Sequence, residues 1–452
     1  MRDAGSDFMG RLSGFIETFG VFGLILMFFV TCIIVAVALW RGPGLMLFVL
    51  FLAYATGSIA QGGIVFVSTL VRWLFLCLLG FMIFRKHFPM EFTLIFIVLY
   101  LIFGFLGNVR SPAFVWTIQQ SFLLAMAILF IPVAVSGYIS DLNKIAVIFK
   151  MGIVAVTVWV ISNMVFLGEF RYVAGQRFTS SEEMGTGSVA YGGAFFAPMI
   201  VWGILQNRYK LWKLYSVLLI IPFLMILLVS GVRSAIFGMV LIASMPILIS
   251  KFRLSKLIIN FGVFSLLLIV SVYGLFIFFP TKATFLFERL FATSTAGRTY
   301  VWAWTLNQCI NDPIWGHGIG AVDIMSGTGF GMGAHNGYLQ VWYNSGILGL
   351  LSIMVFYVIY VFKSFRLIFL NPTAEIREYA CICLGYILGI LATGMFEGVF
   401  ATAGGVGVSM TMIIAIIIDR LGQIRNDLLT QDAGIMDESY STAWSAENVQ
   451  VS

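Results

Sequence analysis

The sequence predicts an all-α polytopic integral membrane protein, and its composition and patterning support this class. Apolar residues make up 60% of the 452 residues, charged residues make up 10%, and the mean hydropathy is +1.01. Soluble globular proteins are about 45–50% apolar and about 25% charged. The apolar residues also fall in runs of roughly twenty, the length of a helix that crosses a bilayer. The sequence therefore implies the lipid bilayer as a partner.

The charge of the chain argues against nucleic acid as a partner. The formal net charge is +6, which is small for the length and is spread over the connections between apolar runs. Nucleic-acid-binding proteins instead concentrate Lys and Arg on one face or stripe. The five cysteines show no metal-ligand spacing, and the sequence has no phosphate loop, dinucleotide fingerprint or HExxH zinc motif. The sequence therefore implies no cofactor and no metal.

Thirteen apolar runs are candidates for membrane spans. They lie near residues 19–40, 45–60, 64–84, 92–107, 118–138, 145–167, 189–206, 214–231, 234–250, 257–280, 337–362, 379–396 and 399–418. A count of twelve spans is equally consistent with the sequence. The runs 45–60 and 92–107 are short, and the region 379–418 forms either two spans or one broken pair. The first run lacks a small-residue cleavage site, so we expect it to be a signal anchor.

The predicted organisation has five parts along the chain. They are an N-terminal segment (1–18), a transmembrane helix bundle (19–280), a long outer loop that carries site residues (281–336), C-terminal transmembrane helices (337–420) and a disordered acidic cytoplasmic tail (421–452). The tail is predicted to be disordered because it carries five acidic residues against one basic residue.

Basic residues occupy alternate connections and so predict the orientation of the spans. Lys and Arg cluster near 85–86, 208–213, 251–256 and 363–377. The positive-inside rule places these connections in the cytoplasm. The intervening connections then face outward; they are 61–63, 108–117, 168–188, 231–233 and 281–336. The longest of them exceeds ordinary loop lengths, and such loops are usually functional or disordered.

Three arginines in the outward connections are candidates for binding an anion. Arg233 lies in a tight turn between two apolar runs, where the alternative is a snorkelling anchor at the interface. Arg298 is expected in the first turn of a helix, where a cation opposes the helix dipole and a bound anion would remove that cost. Arg177 has two acidic neighbours, Glu182 and Glu183, as alternative partners.

His335 is one of only three histidines and stands at the start of an apolar run. The glycine-rich stretch before it, 316–333, lets the backbone pass close to a ligand. The N-terminal end of a helix predicted from near Tyr338 disfavours imidazolium, so the ring stays neutral and able to accept a proton. The alternative is a structural histidine at the interface. Arginines with a neutral base suit group transfer from a lipid diphosphate, because arginine holds the leaving group and histidine deprotonates the attacking hydroxyl.

Four motifs, in this order, resemble the signature of the O-antigen ligase and polysaccharide polymerase superfamily. They are SGVRSA (230–235), GRTYVW (297–302), DPIWGHGIG (312–320) and HNGYLQVWYNSGILG (335–349). The GRT and HNGYL forms are most similar to the exopolysaccharide polymerases of the succinoglycan type.

The resemblance implies a multi-pass protein of the bacterial inner (plasma) membrane with its active site facing the periplasm. The implied activity is metal-independent, inverting glycosyl transfer that polymerises undecaprenyl-diphosphate-linked repeat units into an exopolysaccharide. The partners would be that glycan donor, a glycan acceptor, a chain-length regulator and a flippase. Arg233 and Arg298 match the diphosphate-binding arginines of the family, Arg177 falls where many members carry another, and His335 matches the catalytic base.

Two alternatives to the polymerase remain open. A ligase would transfer the same lipid-linked glycan to a lipid core or a protein, and it differs only in its acceptor. A transporter or flippase of lipid-linked glycans would have Arg72 and Glu397 as its candidate residues. Transporters usually show internal repeats and paired broken helices, and the sequence has no obvious correspondence between its halves.

Overall fold

The protein is helical throughout the part of the chain that the structure describes. This computed structural model describes residues 43–56, 94–166, 186–250, 298–321, 334–400 and 405–449, except 112, 207, 231, 371 and 372, together with short helical pieces between 266 and 277. No strand occurs in these ranges. The predicted all-α polytopic class is confirmed.

Eleven helices are defined in the described ranges. In chain order they are α1 (Pro43–Thr56), α2 (Leu94–Asn108), α3 (Phe114–Tyr138), α4 (Leu142–Phe166), α5 (Thr186–Leu205), α6 (Lys210–Ser230), α7 (Arg233–Ser250), α8 (Arg298–Asn311), α9 (Gly337–Phe369), α10 (Ala374–Gly394) and α11 (Val406–Val449).

The helices coincide with predicted apolar runs, apart from α8, which lies within the predicted outer loop. Six of them, α3, α4, α6, α9, α10 and α11, are long and apolar enough to cross a membrane. The chain is therefore a multi-pass membrane protein. The predicted runs 19–40 and 64–84 lie outside the described residues, and 257–280 is described only in pieces.

Close packing of α7 against α10 brings two candidate site residues, Arg233 and Glu397, to the same region of the bundle. A Cβ added at Gly389 of α10 would lie 2.9 Å from the carbonyl oxygen of Gly238 and 2.5 Å from Cγ1 of Ile242, both on α7. Small residues allow such backbone approach between membrane helices. Because of this packing, the start of α7 and the end of α10 meet at one end of the bundle.

Helix α9 is broken at Gly346, and the segment after α8 fills the break. Gly346 has φ +70° and ψ 178°, a conformation that suits glycine. The freed backbone groups find partners outside the helix: the carbonyl of Asn344 accepts from the amide of Gly318 at 2.9 Å, and the amide of Ile347 donates to Pro313 at 2.8 Å. The DPIWGHGIG motif therefore docks α8 onto α9.

Helix α11 continues from the bundle to Val449, through the segment from residue 421 that was predicted to be a disordered tail. Leu421, Ile424 and Leu428 recur at helical spacing and pack against the core. The residue before them, Arg420, donates to the carbonyl of Ser136 at 2.7 Å. This apolar stripe holds the first turns of the segment on the bundle.

Candidate functional site

His335 is held at the start of α9 in a strained backbone conformation. Its φ of +47° is in the left-handed region, which costs a residue with a Cβ about 1 kcal/mol. Trp302 of α8 secures this turn by donating from Nε1 to the carbonyl of His335 at 3.3 Å. The next residue, Asn336, caps α9 by accepting from the amides of Tyr338 at 3.0 Å and Leu339 at 3.1 Å. The position of the imidazole is thus set from both sides of the turn.

Glu397, in the turn after α10, binds His335 and Arg298 at the same time. Its Oε2 lies 2.9 Å from Nδ1 of His335, and its Oε1 lies 2.9 Å from Nη2 of Arg298. An ionised carboxylate only accepts hydrogen bonds, so Nδ1 carries the proton and donates it to Glu397. In the neutral ring, Nε2 is then left with a lone pair that accepts a proton.

Arg298 lies in the first turn of α8, as the sequence predicted. A guanidinium there opposes the helix dipole, and the Glu397 carboxylate offsets that cost. Arg298 also lies 3.5 Å from the carbonyl of Phe396, to which Nη1 donates. The side chains of Arg298, His335 and Glu397 are 22%, 18% and 12% exposed. The three groups are therefore largely withdrawn from water, which strengthens their interactions, yet a ligand can still reach them.

Arg233 is the exposed first residue of α7 and belongs to the same end of the bundle. The next residue, Ser234, forms a hydrogen bond through its hydroxyl with Tyr191 of α5. This hydrogen bond joins the turn that carries Arg233 to α5. The close packing of Gly238 of α7 against Thr393 of α10 places the same turn at the end of the bundle that holds Glu397.

Helix α8 is positioned by its buried face, and this explains a cysteine that had no assigned role. Val301, Thr305 and Cys309 recur at helical spacing and are buried. Burial raises the pKa of the Cys309 thiol to about 12, so it stays protonated and unreactive. Cys309 therefore belongs to the packing that holds α8, with Arg298 at its start, beside α9.

The structure brings together two of the predicted site residues, Arg298 and His335, and places Arg233 at the same end. Arg177 lies outside the described residues, as does Arg72. The residue that sequence reasoning assigned to a different function is Glu397, which was a candidate only for the transporter. The sequence could have pointed to Glu397 as a site residue, because it is the only charged residue between Glu378 and Asp419.

Residues 216–354 match the O-antigen ligase family model. This match confirms the predicted resemblance of the chain to the O-antigen ligase and polysaccharide polymerase superfamily. The matched segment supports a membrane enzyme of the ligase and polymerase type. No curated protein matches the chain.

The segment that matches the O-antigen ligase family includes part of the cluster and leaves out the rest. It extends from within α6 to within α9, so it holds Arg233, Arg298 and His335. Glu397 lies outside the matched range, on its C-terminal side. It enters the site through tertiary packing and is an addition that the structure makes to the family match.

Proposed function

We propose that the protein is a metal-independent, inverting glycosyltransferase that polymerises undecaprenyl-diphosphate-linked repeat units into an exopolysaccharide. The observation that carries this proposal is the pair of 2.9 Å contacts that join Glu397 to His335 and to Arg298. They bring a base with its proton-accepting nitrogen available and a cation for an anionic leaving group into one cluster. The O-antigen ligase match over the segment that holds His335 and Arg298 supports this chemistry.

In the proposed reaction, Nε2 of His335 takes the proton from a hydroxyl of the acceptor glycan as that oxygen attacks the anomeric carbon of the donor. The bond from the anomeric carbon to the diphosphate oxygen breaks, and the undecaprenyl diphosphate leaves with the bonding electrons. Direct displacement of this kind inverts the anomeric centre. The proton stays on the imidazole, where the carboxylate of Glu397 stabilises the positive charge.

The arginines take the role of stabilising the leaving group. Negative charge grows on the diphosphate as the glycosidic bond breaks, and fixed cations in a partly dry site stabilise it. Guanidinium groups suit this task because they bind phosphate oxygens in bidentate geometry. We assign Arg298 and Arg233 to the diphosphate and propose Arg177 as a further contact.

The site is proposed to face the periplasm of a bacterial inner membrane. The positive-inside distribution of Lys and Arg supports this sidedness. Several described connections predicted to face outward contact one another; for example, the amide of Ile319 donates to Oδ1 of Asn108 at 3.2 Å. On this face the enzyme would meet donors delivered by a flippase and act beside a chain-length regulator.

A ligase is the second candidate, and the O-antigen ligase description of the matched family favours it. The chemistry at His335 and the arginines would be the same, and the acceptor would be a lipid core or a protein. The polymerase is supported by the GRT and HNGYL forms of the motifs at 297–299 and 335–339. The acceptor decides between the two.

The test uses purified protein in lipid with one lipid-diphosphate-linked repeat unit and no other acceptor. A ladder of products made by the wild type and absent in His335→Asn would support the polymerase. Asn tolerates the left-handed backbone of this position, so the variant removes the base without adding strain. His317→Asn is the matched control, because that ring stacks on Tyr343 at 4.3 Å outside the cluster; we expect it to retain the ladder.

The other outcomes of this test are equally informative. Transfer only after a lipid core or a protein acceptor is added would establish the ligase and reject the polymerase. An unchanged ladder in His335→Asn would reject His335 as the base. No transfer by the wild type to any acceptor, with a donor that another transferase accepts, would reject the enzyme and favour the transporter.

A further inference from the structure

An open cavity of about 840 Å³ lies between the starts of α1, α4 and α6 and the end of α3. Helix α6 begins at Lys210 and ends at Ser230, beside Arg233, so its start is at the end of the bundle remote from the candidate site. The described residues that line the cavity include two lysines, Lys144 and Lys150, and none of these lining residues is acidic. The cavity is therefore a cationic feature separate from the His335–Glu397–Arg298 cluster.

Aromatic rings hold both of these lysines in place. Nζ of Lys144 lies 5.0 Å from the ring centroid of Tyr138, and Nζ of Lys150 lies 3.8 Å from that of Tyr209, just before α6. A ring attracts an ammonium group without neutralising its charge. The neighbouring carboxylate of Asp141 is directed at the backbone, where it accepts from the amide of Lys144 at 3.1 Å. Two ammonium groups beside one carboxylate leave net positive charge at the cavity.

The rest of the lining is largely apolar and follows α4 away from this end of the bundle. Val147, Met151 and Val154 recur at helical spacing after Lys144, and Phe48 of α1 adds to the same apolar surface. An α-helix rises about 15 Å from Lys144 to Val154, which is half of the roughly 30 Å thickness of the hydrocarbon core of a bilayer. The cavity thus combines a cationic end with an apolar length that matches one leaflet.

We propose that this cavity binds an anionic phospholipid from the leaflet at this end of the bundle. The phosphate group lies between Lys144 and Lys150, and one acyl chain lies along the apolar stripe of α4. A soluble anion or an acidic protein surface would use the lysines and leave the apolar stripe unfilled. A zwitterionic lipid would fill the stripe and bring no net negative charge to the lysines. An anionic phospholipid uses both parts of the cavity.

Two aromatic residues and the distribution of charge in the chain support this occupant. Tyr138 and Trp212 also line the cavity, at the end of α3 and near the start of α6. Such amphipathic rings favour the headgroup level of a membrane. The positive-inside rule predicts this end of the bundle to be cytoplasmic, and basic pockets between spanning helices on that side suit acidic headgroups.

The experiment titrates the purified full-length protein with phosphatidylglycerol and, separately, with phosphatidylcholine of the same acyl chains. Native mass spectrometry measures the fraction of protein that retains one lipid, and so gives a Kd for each lipid. We expect phosphatidylglycerol to bind the wild type more tightly. A basic residue near the headgroups contributes about 5-fold in affinity, so the double variant Lys144→Gln, Lys150→Gln should bind phosphatidylglycerol about 25-fold more weakly. Its affinity for phosphatidylcholine should not change.

A second double variant, Lys210→Gln with Lys213→Gln, is the matched control. It removes the same charge from the start of α6, at residues that do not line the cavity, and its affinity for phosphatidylglycerol should equal that of the wild type. An equal loss in both double variants would show general attraction to a basic surface and would overturn the proposal. Equal affinity of the wild type for the two lipids would overturn it as well.

Val147→Trp tests the apolar part of the cavity with both lysines intact. The larger side chain fills the space of the acyl chain, so binding of phosphatidylglycerol should be lost. Leu214→Trp is its control, because Leu214 is 59% exposed on α6 and does not line the cavity. Unchanged binding in Val147→Trp would place the lipid elsewhere. A wild-type dimer that becomes a monomer in Val147→Trp would assign the cavity to a second copy of the chain and overturn the proposal. None of these measurements depends on glycosyl transfer, so the result is independent of the proposed function.

Discussion

Glu397 accepts a hydrogen bond from Nδ1 of His335 at 2.9 Å, across 62 positions of the sequence. This contact joins the turn after α10 to the turn before α9, and it decides which ring nitrogen is available to a substrate. The second oxygen of the same carboxylate binds Arg298 at 2.9 Å. One side chain therefore sets the tautomer of the proposed base and its distance from a cation that would hold the leaving group.

Glu397→Gln should reduce transfer by roughly 10²-fold or more. The amide of glutamine has both a donor and an acceptor, so it no longer imposes the Nδ1-protonated tautomer, and it does not stabilise imidazolium. The change is isosteric, so we expect unchanged membrane insertion and oligomeric behaviour. The measurement is the rate of product formation from the lipid-linked donor at fixed pH, with size-exclusion profiles of both proteins.

Glu375→Gln provides the control for this substitution. Glu375 lies in the first turn of α10, at the end of that helix remote from Glu397, and should retain the wild-type rate. Equal rates in Glu397→Gln and the wild type would show that the carboxylate has no part in the reaction. The His335–Glu397 contact would then be structural.

Arg298→Lys should lower kcat/KM by roughly 10- to 10²-fold, because an ammonium group lacks the planar fork that binds a diphosphate in bidentate geometry. The charge is conserved, so the pairing with Glu397 persists in part. Steady-state kinetics with varied donor measure the effect. Arg110→Lys is the control, since Arg110 pairs with Asp312 at 2.6 Å on the same end of the bundle. If the two lysine variants lose activity equally, bidentate recognition at Arg298 is refuted.

Much of the fold could be predicted from the sequence because a membrane-spanning helix can be recognised from its own residues alone. A run of about twenty apolar residues is sufficient to place a span, and the starts of α8 and α9 followed from their motifs. Arg298 and His335 stood out because polar groups are rare in such a chain. These inferences needed no knowledge of which helices touch.

The features that the sequence did not predict depend on tertiary contacts. Glu397 meets Arg298 across 99 positions because α8 and the turn after α10 both contact the turn before α9. The break at Gly346 falls inside an apolar run that is otherwise continuous, and it exists because Pro313 and Gly318 supply the missing hydrogen bonds.

Gly337→Ala should reduce transfer by roughly 10-fold through displacement of the Glu397 turn, because small shifts of reacting groups are costly. A Cβ at this position would lie 2.7 Å from Cδ2 of Phe400 and 3.0 Å from the carbonyl oxygen of Glu397. Gly422→Ala is the matched control within a helix, since nothing lies within 4 Å of its added Cβ. The two rates are compared in the same lipid. Equal transfer rates for Gly337→Ala and Gly422→Ala would show that the turn carrying Glu397 adapts to the added Cβ without loss of activity.

Gly346→Ala should lower the stability of the fold by more than about 2 kcal/mol, for two separate reasons. The left-handed φ of +70° disfavours any residue with a Cβ, and that Cβ would lie 1.8 Å from the carbonyl oxygen of Ile314. The backbone must therefore move, and the hydrogen bonds that dock segment 313–318 into the break of α9 would be lost. Thermal unfolding in detergent measures the change, with Gly137→Ala as the control because nothing lies within 4 Å of its Cβ. Since the docked segment also orients α8, activity should fall with stability. Equal melting temperatures for Gly346→Ala and Gly137→Ala would mean that α9 can become a regular helix at this point without loss of stability. The break at Gly346 would then not explain how α8 docks onto α9.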